Sequence, residues 1–443
     1  MKEIPGPTTI FPHLKHVFQF RKGPLQFFQN LERKYPGLCK LRFVPIHAVL
    51  VTDPELIKEV LTLPQEKIKK GTHYLELKHV LGNGLVTSER ESWFKYRRLV
   101  QPAFYKKTIV GFIDVMQKHA ETVVKDFRDK STLSMFEISD YFTSSVLVES
   151  MFSKDLSSNN PKFATSFAFL NTWTNKRIQN IINLPPSFPS AANRRFTREL
   201  KKLDDFFFEL IKKRNEEIGE HHDLLQLFIE TEDQDSKERM NNVEVRDELV
   251  TILAAGTETT AITISWMFYL LGKHPEIQQK IKAELNEKVG DGDLNFEKIT
   301  QLTYLRAVLS ETLRMYPAIW ALSRQTRQAI TLGGYAIGKS WDLIISPYVM
   351  HRSEHFWSHP DDFIPERFLT DDLKSMHKYA YMPFGGGPRI CVGEHFAILE
   401  IMVLMANLFS KGSLQTDPNI TLIPQALVTL RPHSDLPISY IPD

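Results

Sequence analysis

Between Asn241 and Pro275 the chain carries a segment that is apolar nearly all the way round. Its middle, LVTILAAGTETTAITISWMFYLL, presents no continuous polar face and holds a single carboxylate, Glu258. Asn241 followed by Glu244 has the form of a capping box, and Gly272 with Pro275 supplies a stop, so a helix is predicted from Val243 to Leu271. About 29 residues at 1.5 Å each make a helix of about 43 Å, enough to cross a whole domain. A helix apolar on every side has to be enclosed. The rest of the chain must therefore wrap around it.

There is enough chain to do so, with 443 residues of which 42% are hydrophobic. From about residue 90 to residue 310 the patterning is mostly helical, and charge runs such as KKLDDFFFELIKKRNEE read as the solvated faces of helices with a buried stripe. Residues 160–190 are rich in Phe and Trp and break at Pro185-Pro186; that stripe reads as core. Strand-like alternation marks residues 37–53, and Pro54 then opens a short helix, PELIKEVLT. After residue 320, TLGGYAIG and ALVTLRPHSDLPISYI read as hairpins. The expectation is a mainly α fold with a small β region, residues 1–443 forming a single domain.

Charge and cysteine content exclude several function classes. Lys plus Arg exceeds Asp plus Glu by 55 − 53 = 2, which argues against a dedicated nucleic-acid binder. Two cysteines, Cys39 and Cys391, cannot build a disulfide framework and suit a reducing compartment. The N-terminal stretch is interrupted by Pro5, Pro7 and Pro12, so it lacks the apolar run of a signal peptide. A cytoplasmic protein with no membrane span is expected.

The chemistry concentrates at Phe384-Gly-Gly-Gly-Pro-Arg-Ile-Cys391-Val-Gly393. Three glycines and a proline force an irregular loop, and the apolar run FAILEIMVLMANLF after it is helical. Cys391 thus lies at a loop-to-helix junction, where backbone N–H groups and the helix dipole stabilise a thiolate, with Arg389 two positions earlier. Such a thiolate suits a nucleophile or a metal ligand. Zinc is disfavoured, since Cys391 and His395 offer one ligand pair where a structural site needs four. A Cys–His hydrolase finds only His395, one turn into the helix, as a base.

This segment resembles the haem-binding signature of the cytochrome P450 family, F-x-x-G-x-R-x-C-x-G, at every fixed position; the chance expectation is on the order of 10⁻⁴ per chain. The resemblance implies a P450 fold, with the long central helix over a haem b whose axial thiolate is Cys391. A thiolate ligand pushes electron density to iron and favours O–O cleavage. Glu311-Thr-Leu-Arg314 is similar to the family's E-x-x-R, and Pro365-Glu-Arg367-Phe to its P-E-R-F. The family joins Glu311, Arg314 and Arg367 in a charged network that holds the cysteine loop. Ala255-Gly256-Thr257-Glu258-Thr259-Thr260 resembles A-G-x-[D/E]-T-[T/S], which makes Glu258 and Thr259 the catalytic acid–alcohol pair. Ala255 and Gly256 leave room for a flat cofactor, and Thr259 can bond back to a carbonyl one turn earlier, distorting the helix into a polar notch.

Further cofactor contacts implied by the resemblance are Trp93, Arg97, Arg324, Phe384 and Arg389, the arginines facing haem propionates because a buried carboxylate needs a partner. Ala255, Ala318, Ile319, Leu427 and Val428 are the candidate substrate wall. Tyr96 stands where many members have His, which puts one cofactor contact in doubt. Ala318 replaces the second proline of Y-P-P, and Gly338-Lys339-Ser340 replaces P-K-G.

The implied function is a bacterial-type haem-thiolate monooxygenase that uses O2 and two electrons to hydroxylate or epoxidise a lipophilic substrate such as a fatty acid, terpenoid or steroid. The alternatives are a peroxide-driven peroxygenase, which would not need the Glu258–Thr259 pair, and a non-catalytic haem-thiolate ligand sensor. About fifty residues follow Cys391, so electrons are expected from a separate ferredoxin or flavodoxin with its reductase. Lys95, Arg98, Lys106, Lys107, Lys374 and Lys378 gather in segments that the resemblance places on the haem side nearest the surface.

Overall fold

The computed structural model describes residues 2–7, 12–43, 46–153, 161–180, 183–217, 221–290 and 292–443. The helices that build the site are α1 (Tyr74–Leu81), α2 (Arg90–Val100), α3 (Ile113–Lys130), α4 (Met135–Phe152), α5 (Pro161–Gln179), α6 (Ala191–Glu216), α7 (Asn242–Lys273), α8 (Thr303–Met315) and α9 (Glu394–Phe409).

The central helix α7 begins where its cap dictates. The Asn241 side chain accepts from the backbone N–H groups of Val243 and Glu244 at 3.0 and 3.1 Å, and Glu244 accepts from the Asn241 N–H at 2.9 Å. Three backbone donors at the helix start and the entry angle are fixed together. At the other end α7 continues past Gly272 to Lys273, two residues beyond the expected stop. Gly272 serves close packing instead: a Cβ there would lie 2.4 Å from Thr416 Cγ2. The helix packs against α1, α4, α6, α8 and α9, which is the enclosure its apolar surface requires. Among the described residues it is also the helix long and apolar enough to cross a membrane, yet it lies in the interior of the fold.

Trp266 of α7 is fully buried and stacks on Tyr316 at 3.7 Å between centroids, with its Nε1–H donating to the Leu430 carbonyl at 2.8 Å. Burying so large a ring contributes about 1.5–3 kcal/mol, provided its N–H is satisfied as it is here. α3 packs on α9, carrying the core to the cysteine side of the molecule.

The β region is small, as expected. β1 (Leu38–Phe43) and β2 (Ile46–Val51) form the hairpin marked by residues 37–53, with Leu38 opposite Val51. With β3 (Ile68–Lys70), β4 (Leu322–Thr326) and β5 (Asp342–Ile345) they make a sheet ordered β1-β2-β5-β4-β3, in which β2 and β5 run parallel. TLGGYAIG is a hairpin, pairing Ile330–Leu332 with Tyr335–Ile337. ALVTLRPHSDLPISYI is not one hairpin. β6 (Pro424–Ala426) pairs with β7 (Leu430–Pro432), whereas β8 (Pro437–Pro442) pairs with Gly412–Gln415 and Thr132–Ser134. Local alternation marks a strand but does not choose its partner.

Candidate active site

Cys391 leads into α9 from the glycine loop. Its N–H donates to the Phe384 carbonyl at 3.0 Å, closing the loop on itself. Gly387 has φ +68°, and a Cβ there would lie 2.3 Å from the Leu61 carbonyl oxygen, so neither the conformation nor the space admits a side chain. The glycines thus seat the loop on its neighbours; the amides aimed at the sulfur are those of Gly393 and Glu394, at the start of α9. Cys391 is open to an internal cavity of about 630 Å³ and is otherwise deep in the protein. Burial pushes its thiol pKa up, while those two amides and Arg97 pull it down.

The cavity brings the sequence candidates together. Cys391 and Phe384 form one wall with Trp93, Arg97 and Arg389; Ala255, Glu258 and Thr259 of α7 form another. Ala318, Ile319 and Arg324 line it after α8, and Leu427 and Val428 close it from the β6–β7 turn. Tyr96 is not among its lining residues. Its hydroxyl donates to the Glu244 carboxylate at 3.1 Å, so it supports the cap of α7 instead. Gly338-Lys339-Ser340 forms a turn outside the cavity wall.

One edge of the cavity is strongly cationic. Arg97 donates to the Ile390 carbonyl at 2.8 Å, Arg389 stacks 4.7 Å from the Trp93 ring, and Arg324 is 7% exposed. Two further groups there escaped the sequence reading. Lys70 Nζ donates to the carbonyls of Leu85, Val86 and Ser88, and His73 lies beside Ser323. Burial pushes the Arg389 pKa down to about 10 and that of His73 down to about 4, and holds Lys70 well below its ordinary value. Glu89 pairs with Arg389 at 3.2 Å, which leaves the edge with more positive than negative charge. Such an excess fits a cofactor bearing carboxylates, and a thiol facing the same space fits an iron ligand. The residues present therefore suit a haem with Cys391 as its ligand.

On α7, Thr259 Oγ1 donates to the Ala255 carbonyl at 2.7 Å, the expected back-bond. The helix nevertheless runs uninterrupted from Asn242 to Lys273, so the expected notch is not a break in the helix. Ala255 lines the cavity there, whereas a Cβ on Gly256 would lie 2.8 Å from Leu147 Cδ2, so that glycine serves the packing of α7 on α4. Glu258 does not bond to Thr259; its Oε1 accepts from Thr429 Oγ1 and from the Arg431 guanidinium, both at 2.7 Å. Both partners lie on or next to β7, and sequence spacing gave no sign of either.

Glu311, Arg314 and Arg367 meet behind the cysteine loop. Arg314 donates twice to Glu311, at 2.7 and 2.9 Å, and both side chains are fully buried. Arg367 Nε donates to the same carboxylate at 3.2 Å, while Arg314 also reaches the His351, Pro360 and Asp362 carbonyls. His351, absent from the candidates, extends the network. Its Nδ1 lies 3.2 Å from the Arg314 carbonyl, and its Nε2 accepts the Met382 N–H at 2.9 Å, two residues before Phe384.

The expected basic surface is smaller than its sequence suggests. Lys95 pairs with Glu238 and Glu244 at 3.1 and 3.4 Å, Arg98 with Asp233 and Asp235 at 2.6 and 3.1 Å, and Lys374 with Asp371 at 2.6 Å. Lys106, Lys107 and Lys378 are exposed, and none of them has a carboxylate partner within 4.0 Å among the described residues.

The chain is similar along its length to proteins of one kind. It is 30% identical to cyclooctat-9-en-7-ol 5-monooxygenase of Streptomyces melanosporofaciens, covering 93% of this chain and 89% of that one. It is 28% identical to pentalenene oxygenase of Streptomyces avermitilis, covering 95% and 93%. The fold matches the crystal structure of the cytochrome P450DA heme domain with a TM-score of 0.90 at 24% identity, covering 99% of this chain and 97% of that one. The family model for cytochrome P450 runs from residue 5 to residue 435, and the chain belongs to that family.

Proposed function

We propose that this haem-thiolate monooxygenase oxidises a terpenoid, receiving electrons from a ferredoxin or flavodoxin and acting in the cytoplasm as one domain. The observation that carries this reading is the cavity itself: an apolar space of about 630 Å³ with Cys391 on one wall and the Glu258–Thr259 segment on another. Two relatives whose names denote a cyclooctatenol monooxygenase and a pentalenene oxygenase support the terpenoid class. The unpaired lysines 106, 107 and 378 support an acidic redox partner.

Haem b, held through Cys391, supplies the chemistry of O2 reduction and C–H oxidation. The chain's own residues position it and control protons. Arg97, Arg324, Arg389 and Lys70 would compensate its carboxylates, and Trp93 keeps the Arg389 guanidinium in place through its ring face. Thr259 Oγ1 can release the Ala255 carbonyl and donate into the cavity, with Glu258 restoring its proton from the side of Thr429 and Arg431. A peroxide-driven enzyme has no need of this pair, so its place in the cavity wall favours the O2-dependent reaction.

The test is a binding and turnover screen with cyclic terpenes, fatty acids and steroids, following the Soret shift and then product formed per NADPH. Terpenoids are expected to shift the band at micromolar concentration and to be oxidised. A response confined to fatty acids would overturn the terpenoid reading.

A further inference from the structure

Glu89 stands immediately before α2, a place where a side chain ordinarily accepts from the N–H groups of the first turn. It makes no such bond. Its carboxylate turns instead to the cationic edge of the cavity. Oε1 accepts from the Lys70 N–H at 2.9 Å, and Oε2 accepts from Arg389 Nη2 at 3.2 Å and from Arg327 Nη2 at 3.3 Å. The next residue, Arg90, has φ +53°, a left-handed conformation that L-residues keep only where their surroundings fix it. Here the Arg90 N–H is fixed by Gln65 Oε1 at 2.6 Å.

The same glutamine oxygen serves Arg389. Its Nη2 donates to Gln65 Oε1 at 2.8 Å as well as to Glu89, its Nη1 donates to the Ser88 carbonyl at 3.2 Å, and its guanidinium lies 4.7 Å from the Trp93 ring centre. A guanidinium has five N–H donors, so among the described residues two are left uncommitted for a carboxylate in the cavity. The Ser88 carbonyl also accepts from Lys70 Nζ at 3.2 Å, which ties together two cations of the cavity wall. Arg327 lies on the far side of the carboxylate. It is not among the cavity-lining residues, and its Nε donates to the Gln65 and Ile68 carbonyls at 3.0 and 3.2 Å.

One carboxylate is thus divided between a cation that faces the cavity and a cation that does not. The share of its charge that falls on Arg389 is withdrawn from the haem carboxylate that Arg389 would meet. Negative charge on that edge favours Fe(III) over Fe(II), because the oxidised iron carries one more positive charge. Arg327 acts in the opposite sense, by drawing the carboxylate outward.

We propose that Glu89 is a positioning residue for the haem: it orients Arg389 before the cofactor arrives and, by neutralising part of that charge, holds the Fe(III)/Fe(II) potential below the value the arginine edge alone would set. Arg327 is its counterweight. The inference rests on the haem-thiolate assignment and is independent of the substrate class.

The experiment is a dye-coupled redox titration of the haem-loaded protein, with haem release to apomyoglobin as a second readout. Glu89→Gln keeps an acceptor for the Lys70 N–H and removes the charge. It is expected to retain haem and to shift the equilibrium toward Fe(II) by about threefold, which at 59 mV per tenfold for one electron is about 28 mV upward. Glu89 is 26% exposed, so solvent screening keeps the shift this small. Arg327→Gln should move the potential downward, and Glu91→Gln, an exposed carboxylate two residues on, should leave it unchanged. Glu89→Ala, which also frees Arg389, should release haem about threefold faster or more. An unmoved potential in Glu89→Gln, or an equal shift in Glu91→Gln, would overturn the electrostatic role, and unchanged haem release in Glu89→Ala would overturn the positioning role. Should Glu89→Gln fail to hold haem, Arg327→Gln decides, and a potential that does not fall there would overturn the proposal.

Discussion

Glu258 on the central helix is tied to Arg431 on β7 at 2.7 Å, across the cavity rim. The arginine side chain is 39% exposed, so the pair is worth at most about 1 kcal/mol and opens at little cost. A carboxylate that lines the cavity while anchored by so weak a tether is suited to swing and carry a proton. Glu258→Gln should therefore retain haem and substrate binding but lower product per NADPH by about tenfold. Arg431→Gln should move the thermal midpoint by only a degree or two while lowering the same yield. Unchanged yield in both variants would show that the pair only pins the β6–β7 turn.

The two cysteines separate ligand from filler. Cys39 is buried on β1, and desolvation pushes its pKa up to about 12, which keeps it an inert thiol. Cys391→Ala should abolish the thiolate-type spectrum of the reduced CO complex, and Cys39→Ala should leave it intact. A persistent thiolate spectrum in Cys391→Ala is the result that would refute the assignment.

Arg314 is bound to Glu311 and to three backbone carbonyls with no exposed surface. Removing one partner of a buried pair leaves an uncompensated charge and costs roughly 3–5 kcal/mol. Arg314→Ala is therefore expected to fold poorly and to lose haem, and Arg314→Lys to recover little because lysine cannot reproduce the planar fork. Haem content and urea unfolding report both. Normal haem content in Arg314→Ala would reduce the network to ordinary packing.

The residues legible in the sequence are those whose spacing is set by one local element. A capped helix, a cysteine in a glycine loop and an E-x-x-R on one helix face are each written within about a dozen residues. Arg431, Lys70 and His351 were not legible because each acts across chain separations that only the fold closes. Lys70 lies in KIKKG, where alternation along β3 decides which lysine turns inward, and nothing in the composition separates it from Lys67 or Lys69. The β8 partner was misread for the same reason, since its pairing with residues 132–134 is tertiary.

His351 gives the network a pH dependence. It is completely enclosed, and burial together with the nearby Arg314 charge lowers its pKa from 6.5 to about 3. The unfolded chain takes up this proton near pH 6.5 and the folded chain does not, so the stability due to the neutral ring is full above that pH. It is lost progressively as the pH falls toward 3, at about 1.4 kcal/mol per pH unit for one proton. His73, lowered to about 4, acts in the same direction. His351→Gln should be less stable at pH 8 yet show an acid slope shallower by about one proton between pH 6.5 and 4, measured by urea unfolding. Parallel slopes would mean that His351 carries its proton in the folded state.

The last expectation concerns electron delivery, where the structure narrows the surface that the sequence outlined. Lys95 and Arg98 are paired with four carboxylates, those of Glu238, Glu244, Asp233 and Asp235, so these two residues offer no free positive charge to an acidic partner. Lys106 and Lys107 open a short helix that packs on α9; the Lys106 ammonium lies 5.0 Å from the Phe296 ring centre, a contact that leaves it exposed and without a carboxylate partner among the described residues. With a net charge of +2, steering of an acidic partner must come from such a local patch. Its reach is about one Debye length, roughly 8 Å at physiological salt. The rate of reduction by an acidic ferredoxin should fall steeply between low and high ionic strength. Lys106→Glu with Lys107→Glu should slow reduction by about fivefold or more at low salt, with substrate affinity unaltered, whereas Lys95→Gln should have little effect. Stopped-flow reduction of the substrate-bound protein measures all three, and a flat salt response with an unaffected double variant would place the docking face elsewhere.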